Sequence, residues 1–163
     1  MIPNLFQKAK IPKSLPQGMQ TIVNRLKKSN GKEDCLKTVY DILFKKYYGC
    51  SIFTKFFDLF VTDLNKIWKR DESHCTNLNY LLRVLLIKSG FFKDEDIKLN
   101  LTLIGYVSIH QYLRIRINDN KFVNVDLWSA SHGVNLGDYA HGFHYSIFQK
   151  ISTKLKNFLP LIL

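Results

Sequence analysis

Along the chain, apolar positions recur first at helical spacing and later at strand spacing. Residues 1–16 carry Pro3, Pro12 and Pro16 and read as an extended arm. A short helix fits Gln17 to Lys28, and Asn30-Gly31 breaks it. From Glu33 to Tyr48, Leu36, Val39, Tyr40, Leu43 and Tyr47 share one helical face, and Gly49 reads as the stop. Phe53, Phe56, Phe57, Phe60, Leu64, Ile67 and Trp68 then repeat at three and four, which predicts an amphipathic helix with an aromatic core stripe. A polar stretch, Lys69 to His74, leads into a third long helix beginning near Cys75. Leu78, Leu81, Leu82, Leu85 and Leu86 mark its buried face. Ser89-Gly90 stops it, with Gly90 suited to the left-handed position after a helix.

Beyond Gly90 the period changes to two. Ile97, Leu99, Leu101 and Leu103 alternate with Lys98, Asn100 and Thr102, which predicts a strand. Ile109 to Ile117 alternates again, with Ile109, Leu113, Ile115 and Ile117 on one face and His110, Tyr112, Arg114 and Arg116 on the other. Asn118-Asp119-Asn120 is a turn, and Lys121 to Trp128 reads as a third strand. Ser129 to Phe143 reads as loop, and residues 144–158 suit a last helix. Helices followed by a meander of strands predict an α+β fold, with N-terminal helices packed on an antiparallel sheet. The expected organisation is an arm over 1–16 and a single domain over 17–163.

Composition narrows the classes. The chain has 163 residues, 46% of them hydrophobic, enough for one packed core and too apolar for a mainly disordered chain. No apolar run approaches the ~20 residues of a membrane span, and the start lacks the apolar core of a secretory leader, so a cytoplasmic location is expected. Twenty-four Lys and Arg against 13 Asp and Glu give a net charge of +11, which suggests a polyanionic partner. The lysines are scattered, however, and no arginine-rich tract or nucleic-acid-binding signature accompanies them, so nucleic acid is the less favoured partner. Three cysteines, Cys35, Cys50 and Cys75, form no C-x-x-C pair. An odd count without a leader reads as reduced thiols.

Candidate chemistry converges on Cys75. At a helix N-terminus, unpaired N–H groups and the macrodipole favour negative charge, and the thiolate is the nucleophilic form of a thiol. Cys35, on a helix flank, and Cys50, after a glycine, read as inert. A thiolate catalyst needs a base and a group to orient that base. His110 lies in the second strand and Asp126 in the third, in the run VNVDLW, where a charge between apolar neighbours needs a partner. Both must project to one face of the sheet. A plain two-residue loop at Asp119-Asn120 would pair 118 with 121 and send them to opposite faces. The sequence therefore predicts an odd-length loop or a bulge near Asn118.

The runs HCTNLNYLLRVLLIKSGF, GYVSIHQYLRIRI and KFVNVDLW resemble the transglutaminase-like superfamily in order, spacing and local structure, over about residues 36–128. The resemblance implies a papain-like Cys-His-Asp architecture and an acyl-enzyme mechanism. Cys75 would be the nucleophile, His110 the general acid and base, and Asp126 its orienter. A peptide or protein substrate is implied, with hydrolysis expected over transamidation and no cofactor or metal required. The approach to the cysteine, Asp71-Glu72-Ser73-His74, lacks the glycine common in that superfamily, and Tyr112 stands where many members carry Trp. The rival readings are a catalytically inactive protein-binding module of the same superfamily and a basic nucleic-acid-binding domain.

Several further residues have two readings each. Trp68, Tyr47 and Tyr48 carry donors for an oxyanion but also suit a core. His74 reads as a loop side chain near the substrate entrance. His132, His141 and His144, with Asp138, offer a conceivable zinc site or a wall of the substrate pocket. Trp128 is expected to pack beside the triad and exclude water from it. Arg114 and Arg116 suit either selection of an acidic substrate or a solvated strand.

Overall fold

The computed structural model describes residues 6–49, 61–105 and 108–142. Its first helix, α1 (Gln17–Leu26), begins directly after Pro16 and buries Met19, Val23 and Leu26. The second, α2 (Lys32–Lys46), places Glu33 and Asp34 in its first turn and Lys45 and Lys46 in its last, matching the macrodipole at both ends. It ends at Lys46, so Gly49 is not its stop. Tyr48 and Gly49 instead form a short strand, β1 (Tyr48–Gly49), pairing in parallel with β2 (Glu72–Ser73), Gly49 opposite Ser73. The segment read as merely polar thus contains a strand.

The predicted aromatic helix is corrected where it is described. Residues 61–63 are not helical, and α3 (Leu64–Trp68) starts afresh, with Asp63 accepting a 2.9 Å bond from the Asn65 N–H. An aspartate that caps the next turn outcompetes continuation of the 3.6-residue pattern. Phe53, Phe56, Phe57 and Phe60 lie outside the described residues, as do Cys50, His144 and the helix expected over 144–158.

A second 15-residue helix, α4 (Cys75–Ser89), starts at Cys75 and ends where the sequence predicts, with Gly90 at φ 89°. A left-handed backbone costs an L-residue with a side chain about 1–2 kcal/mol, which glycine avoids. A 3₁₀ turn over Asp94–Asp96 then leads into the antiparallel sheet β3 (Ile97–Ile104), β4 (Ser108–Asn118), β5 (Lys121–Val125), in that spatial order. The architecture is mixed α+β, with α4 packed on β4 and a contiguous core running from Met19 and Leu43 through Leu81 and Leu85 to Leu113, Ile115 and Val125. Gln111, Leu113 and Ile115 are buried on the helix side of β4, whereas Ile109 is 49% exposed. The early turns of α4 sit over Gln111, to which Asn79 donates, and the strand continues past them.

β5 ends at Val125, three residues earlier than expected, because Asp126 caps a short helix, α5 (Leu127–Ala130). Residues 6–16 form no helix or strand. Backbone carbonyls in this arm accept from α4: Ala9 from Arg83 at 2.6 Å, Lys10 from Tyr80 at 3.1 Å and Lys13 from Lys88 at 3.2 Å.

Candidate active site

Cys75 is the first residue of α4 and a free, half-buried thiol. His74 caps the helix through its backbone. Its carbonyl accepts the first two intrahelical bonds, from Asn77 N–H at 3.1 Å and Leu78 N–H at 3.0 Å. The N–H groups of Cys75 and Thr76 lie ahead of these, in the turn where α-helical donors have no intrahelical acceptor. His74 itself is only 3% exposed, so the expectation of an open loop side chain is corrected: a cap backbone pinned between β2 and α4 turns the ring inward.

His110 and Asp126, each 3% exposed, meet on the sheet side. His110 Nε2 lies 2.8 Å from Asp126 Oδ2. The Cys75 thiol lies close enough to the same ring to interact with it and to raise its pKa. The structure thus brings together all three candidate residues, thiol to imidazole to carboxylate, 35 and 16 residues apart in sequence.

The hairpin solves the parity problem as the sequence requires. From Leu113↔Val125 to Arg116↔Phe122 the register places Asp126 on the same face as His110. The turn pair Asn118↔Lys121 belongs to the other register, and the shift falls between Arg116 and Asn118. Ile117 is the extra residue of this bulge. Without it, the side chains of 110 and 126 would point to opposite faces.

Asp126 is fixed on every side. Oδ1 accepts from Ser129 N–H at 3.1 Å, the cap of α5, and Oδ2 accepts from Ala140 N–H at 3.0 Å as well as facing His110. Burial alone would raise the Asp126 pKa, but the bonds from His110, Ser129 and Ala140 hold it below the usual carboxylate range. For His110, burial opposes the charged ring. The hydrogen bonds and charges of Asp126 and Cys75 outweigh it and raise the pKa to about 10. The imidazole is therefore held protonated near neutral pH beside the thiol. Such an arrangement can stabilise a thiolate, deliver a proton to a leaving group and recover it.

An aromatic cluster adjoins the pair. The Trp128 indole lies 5.0 Å from the His110 ring and 4.6 Å from His132, tilted against both. Farther along, Tyr112 stacks on Tyr139 at 4.1 Å, and His141 tilts against Tyr139. Gly137 bridges Asn124, and Gly142 donates to Leu103 at 2.7 Å. Residues 137–142 thus run as a strap from β5 across to β3, with the Ala140 N–H delivered to the carboxylate between. His132 and His141 serve in ring contacts, and no cluster of three metal-ligating side chains occurs among the described residues.

The other candidates resolve into packing. The Tyr47 hydroxyl donates to the carbonyls of Ile67 and Trp68, and the Trp68 indole nitrogen packs against Gly18, so neither presents a donor to the sulfur. Tyr48 is 69% exposed. Arg116 is engaged by Asp96 at 2.7 Å and Arg114 lies over the Phe122 ring, so Arg116 is committed to structure. Cys35 is fully buried. Burial pushes its thiol pKa up, and its Sγ lies 3.4 Å from Ser89 Oγ.

Sequence reasoning overlooked Ser129, Ala140 and Gly49. The Asp-Leu-Trp-Ser run carries the signal of an aspartate N-cap, which predicts the Ser129 bond. Nothing local marks Ala140, which reaches Asp126 only through the strap. No protein-family model matches the chain, and no curated protein or solved structure gives a match to it. Among the described residues, no helix is long and apolar enough to cross a membrane.

Proposed function

We propose that the protein is a thiol-dependent acyl-transfer enzyme that cleaves an amide bond through a Cys75 acyl-enzyme. The observation that carries this reading is the buried 2.8 Å contact of His110 with Asp126, on a ring that also interacts with the thiol at the start of α4. A buried ion pair is costly to build and adds little stability over apolar packing. Its alignment on a nucleophile at a helix N-terminus argues for use in chemistry.

In this mechanism the Cys75 sulfur attacks the amide carbonyl carbon, and the carbonyl electron pair moves to oxygen. The Cys75 N–H, ahead of the intrahelical bonds, is available to that oxyanion. Collapse breaks the C–N bond, and the leaving nitrogen takes the His110 proton. Water then enters, His110 removes its proton, and the tetrahedral adduct releases the carboxylic acid and the thiolate. An amine in place of water gives transamidation by the same steps. Asp126 holds the ring throughout and stays ionised. The finer architecture we infer is papain-like, of the transglutaminase-like type, with a peptide or protein substrate. A reducing, cytoplasmic setting suits both the nucleophile and the free Cys35 thiol.

Iodoacetamide alkylation of each cysteine against pH, resolved by mass spectrometry, tests this. Cys75 is expected to react with a midpoint well below the ~8.5 of a free thiol, and His110→Ala is expected to abolish that advantage. A Cys75 with ordinary thiol behaviour, unmoved by His110→Ala, overturns the catalytic reading in favour of an inactive binding module.

A further inference from the structure

Gly49 is a glycine without a turn to make. Its φ lies outside the left-handed range, unlike those of Gly31, Gly90 and Gly105, so backbone conformation does not require it. Space does. A Cβ on Gly49 would lie 2.7 Å from Trp128 Cδ1, 2.9 Å from Cγ and 2.7 Å from the Trp128 carbonyl oxygen. The last of these is backbone and cannot swing aside. Gly49 N–H also donates to Ser131 Oγ at 3.2 Å, and the Ser131 hydroxyl donates to Trp128 O at 2.7 Å. On its other side Gly49 pairs with Ser73, two residues before Cys75.

The residue therefore stands between the two halves of the candidate site. One neighbour, β2, delivers the nucleophile to the start of α4. The other, α5, is capped by Asp126 and carries Trp128, whose ring packs 5.0 Å from His110. The thickness of β1 at this point sets how closely these halves approach. We propose that Gly49 is a positioning residue, which acts through Trp128 to hold the His110 ring toward the Cys75 thiol. This rests on the catalytic reading above and adds the element that fixes its geometry. An added methyl would push Trp128 outward, draw α5 with it and lengthen the contact between thiol and imidazole, while leaving the helical core untouched.

The experiment is the pH profile of Cys75 alkylation in wild type and Gly49→Ala, with Cys35 as an internal gauge of folding. Cys35 is fully buried in the helical core, so its protection reports an intact fold. Gly49→Ala is expected to keep Cys35 protected, to slow Cys75 alkylation at pH 7 by tenfold or more, and to move its midpoint toward that of a free thiol. In a Trp128→Ala background the same substitution is expected to have a smaller effect, because the clash with the indole and its push on the His110 ring are gone and only the clash with the carbonyl of residue 128 remains. If the wild-type midpoint is depressed and Gly49→Ala leaves it unchanged, the positioning role is overturned and the catalytic reading survives. If the wild-type midpoint is itself ordinary, both fall. Should Gly49→Ala expose Cys35, Ser131→Ala carries the test, since it cuts the bridge from Gly49 to Trp128 without adding an atom. It is expected to shift the midpoint in the same direction by a smaller amount, and an unmoved midpoint overturns the proposal.

Discussion

His110 shows how burial and hydrogen bonding trade against each other at one residue. A ring 3% exposed should lose its proton easily, yet Asp126 and Cys75 keep it on. The consequence for stability has a definite sign. The folded-state pKa is raised above the 6.5 of an unperturbed histidine. The stabilisation is therefore complete below pH 6.5 and is lost as the pH climbs toward about 10. Asp126 works at the other end: its lowered pKa contributes above the ordinary carboxylate range and is lost as pH falls through it. Melting temperatures of wild type and His110→Gln, measured from pH 6 to pH 10, should therefore converge with rising pH, the wild type starting higher. Parallel curves would mean that the ring does not carry this charge. The pairing of His110 with Asp126 is legible from residue type and local context. The orientation of Asp126 by the Ala140 N–H is not, because that contact joins residues fourteen positions apart, through α5, a loop and the strap.

At the level of elements, the sequence is most informative where one pattern dominates. The start of α4 at Cys75, its end at Gly90 and the bulge at Ile117 all follow from local rules of capping, left-handed glycine and strand parity. It misleads where two signals compete. Asp63 breaks an unbroken aromatic periodicity, Asp126 ends a strand that the alternation would extend, and Gly49 looks like a helix stop while serving as a spacer. The N-terminal arm belongs to this scale as well. Proline content predicts an extended run, but not what holds it. Arg83, 5% exposed at its side chain, does so by donating to Ala9 O and pairing with Asp94 at 2.7 Å. Arg83→Leu leaves the Ala9 carbonyl and the Asp94 carboxylate without this donor, at a cost of about 2–3 kcal/mol for charged hydrogen bonds. The expected sign is faster tryptic cleavage at Lys8, Lys10 and Lys13 in the variant, with cleavage elsewhere little changed. Equal rates at these sites would show that Tyr80 and Lys88 suffice to hold the arm.

For the molecule as a whole, the decisive feature is that the Cys75 thiol and the His110–Asp126 pair come from opposite sides of one core. Cys75 belongs to the helices, while His110 and Asp126 belong to the sheet and its capping turn. The same apolar cluster nevertheless includes Met19 and Leu36 from the first helices, Leu81 and Leu85 from α4, and Leu113, Val125 and Leu127 from the sheet side. Helices and sheet that share a core of this kind are expected to unfold together. The two tryptophans make that testable, since Trp68 lies on the helical side and Trp128 adjoins the candidate site. Urea titrations of Trp68→Phe and Trp128→Phe, each reporting through the remaining indole, are expected to give transitions matching each other and the exposure of Cys35 to alkylation, once each curve is normalised to its own stability. A Trp128 signal lost at lower urea than Cys35 protection within one variant would separate the site from the core. The thiol-imidazole contact would then be a locally labile assembly, and Gly49 would be holding together two parts that the core itself does not bind.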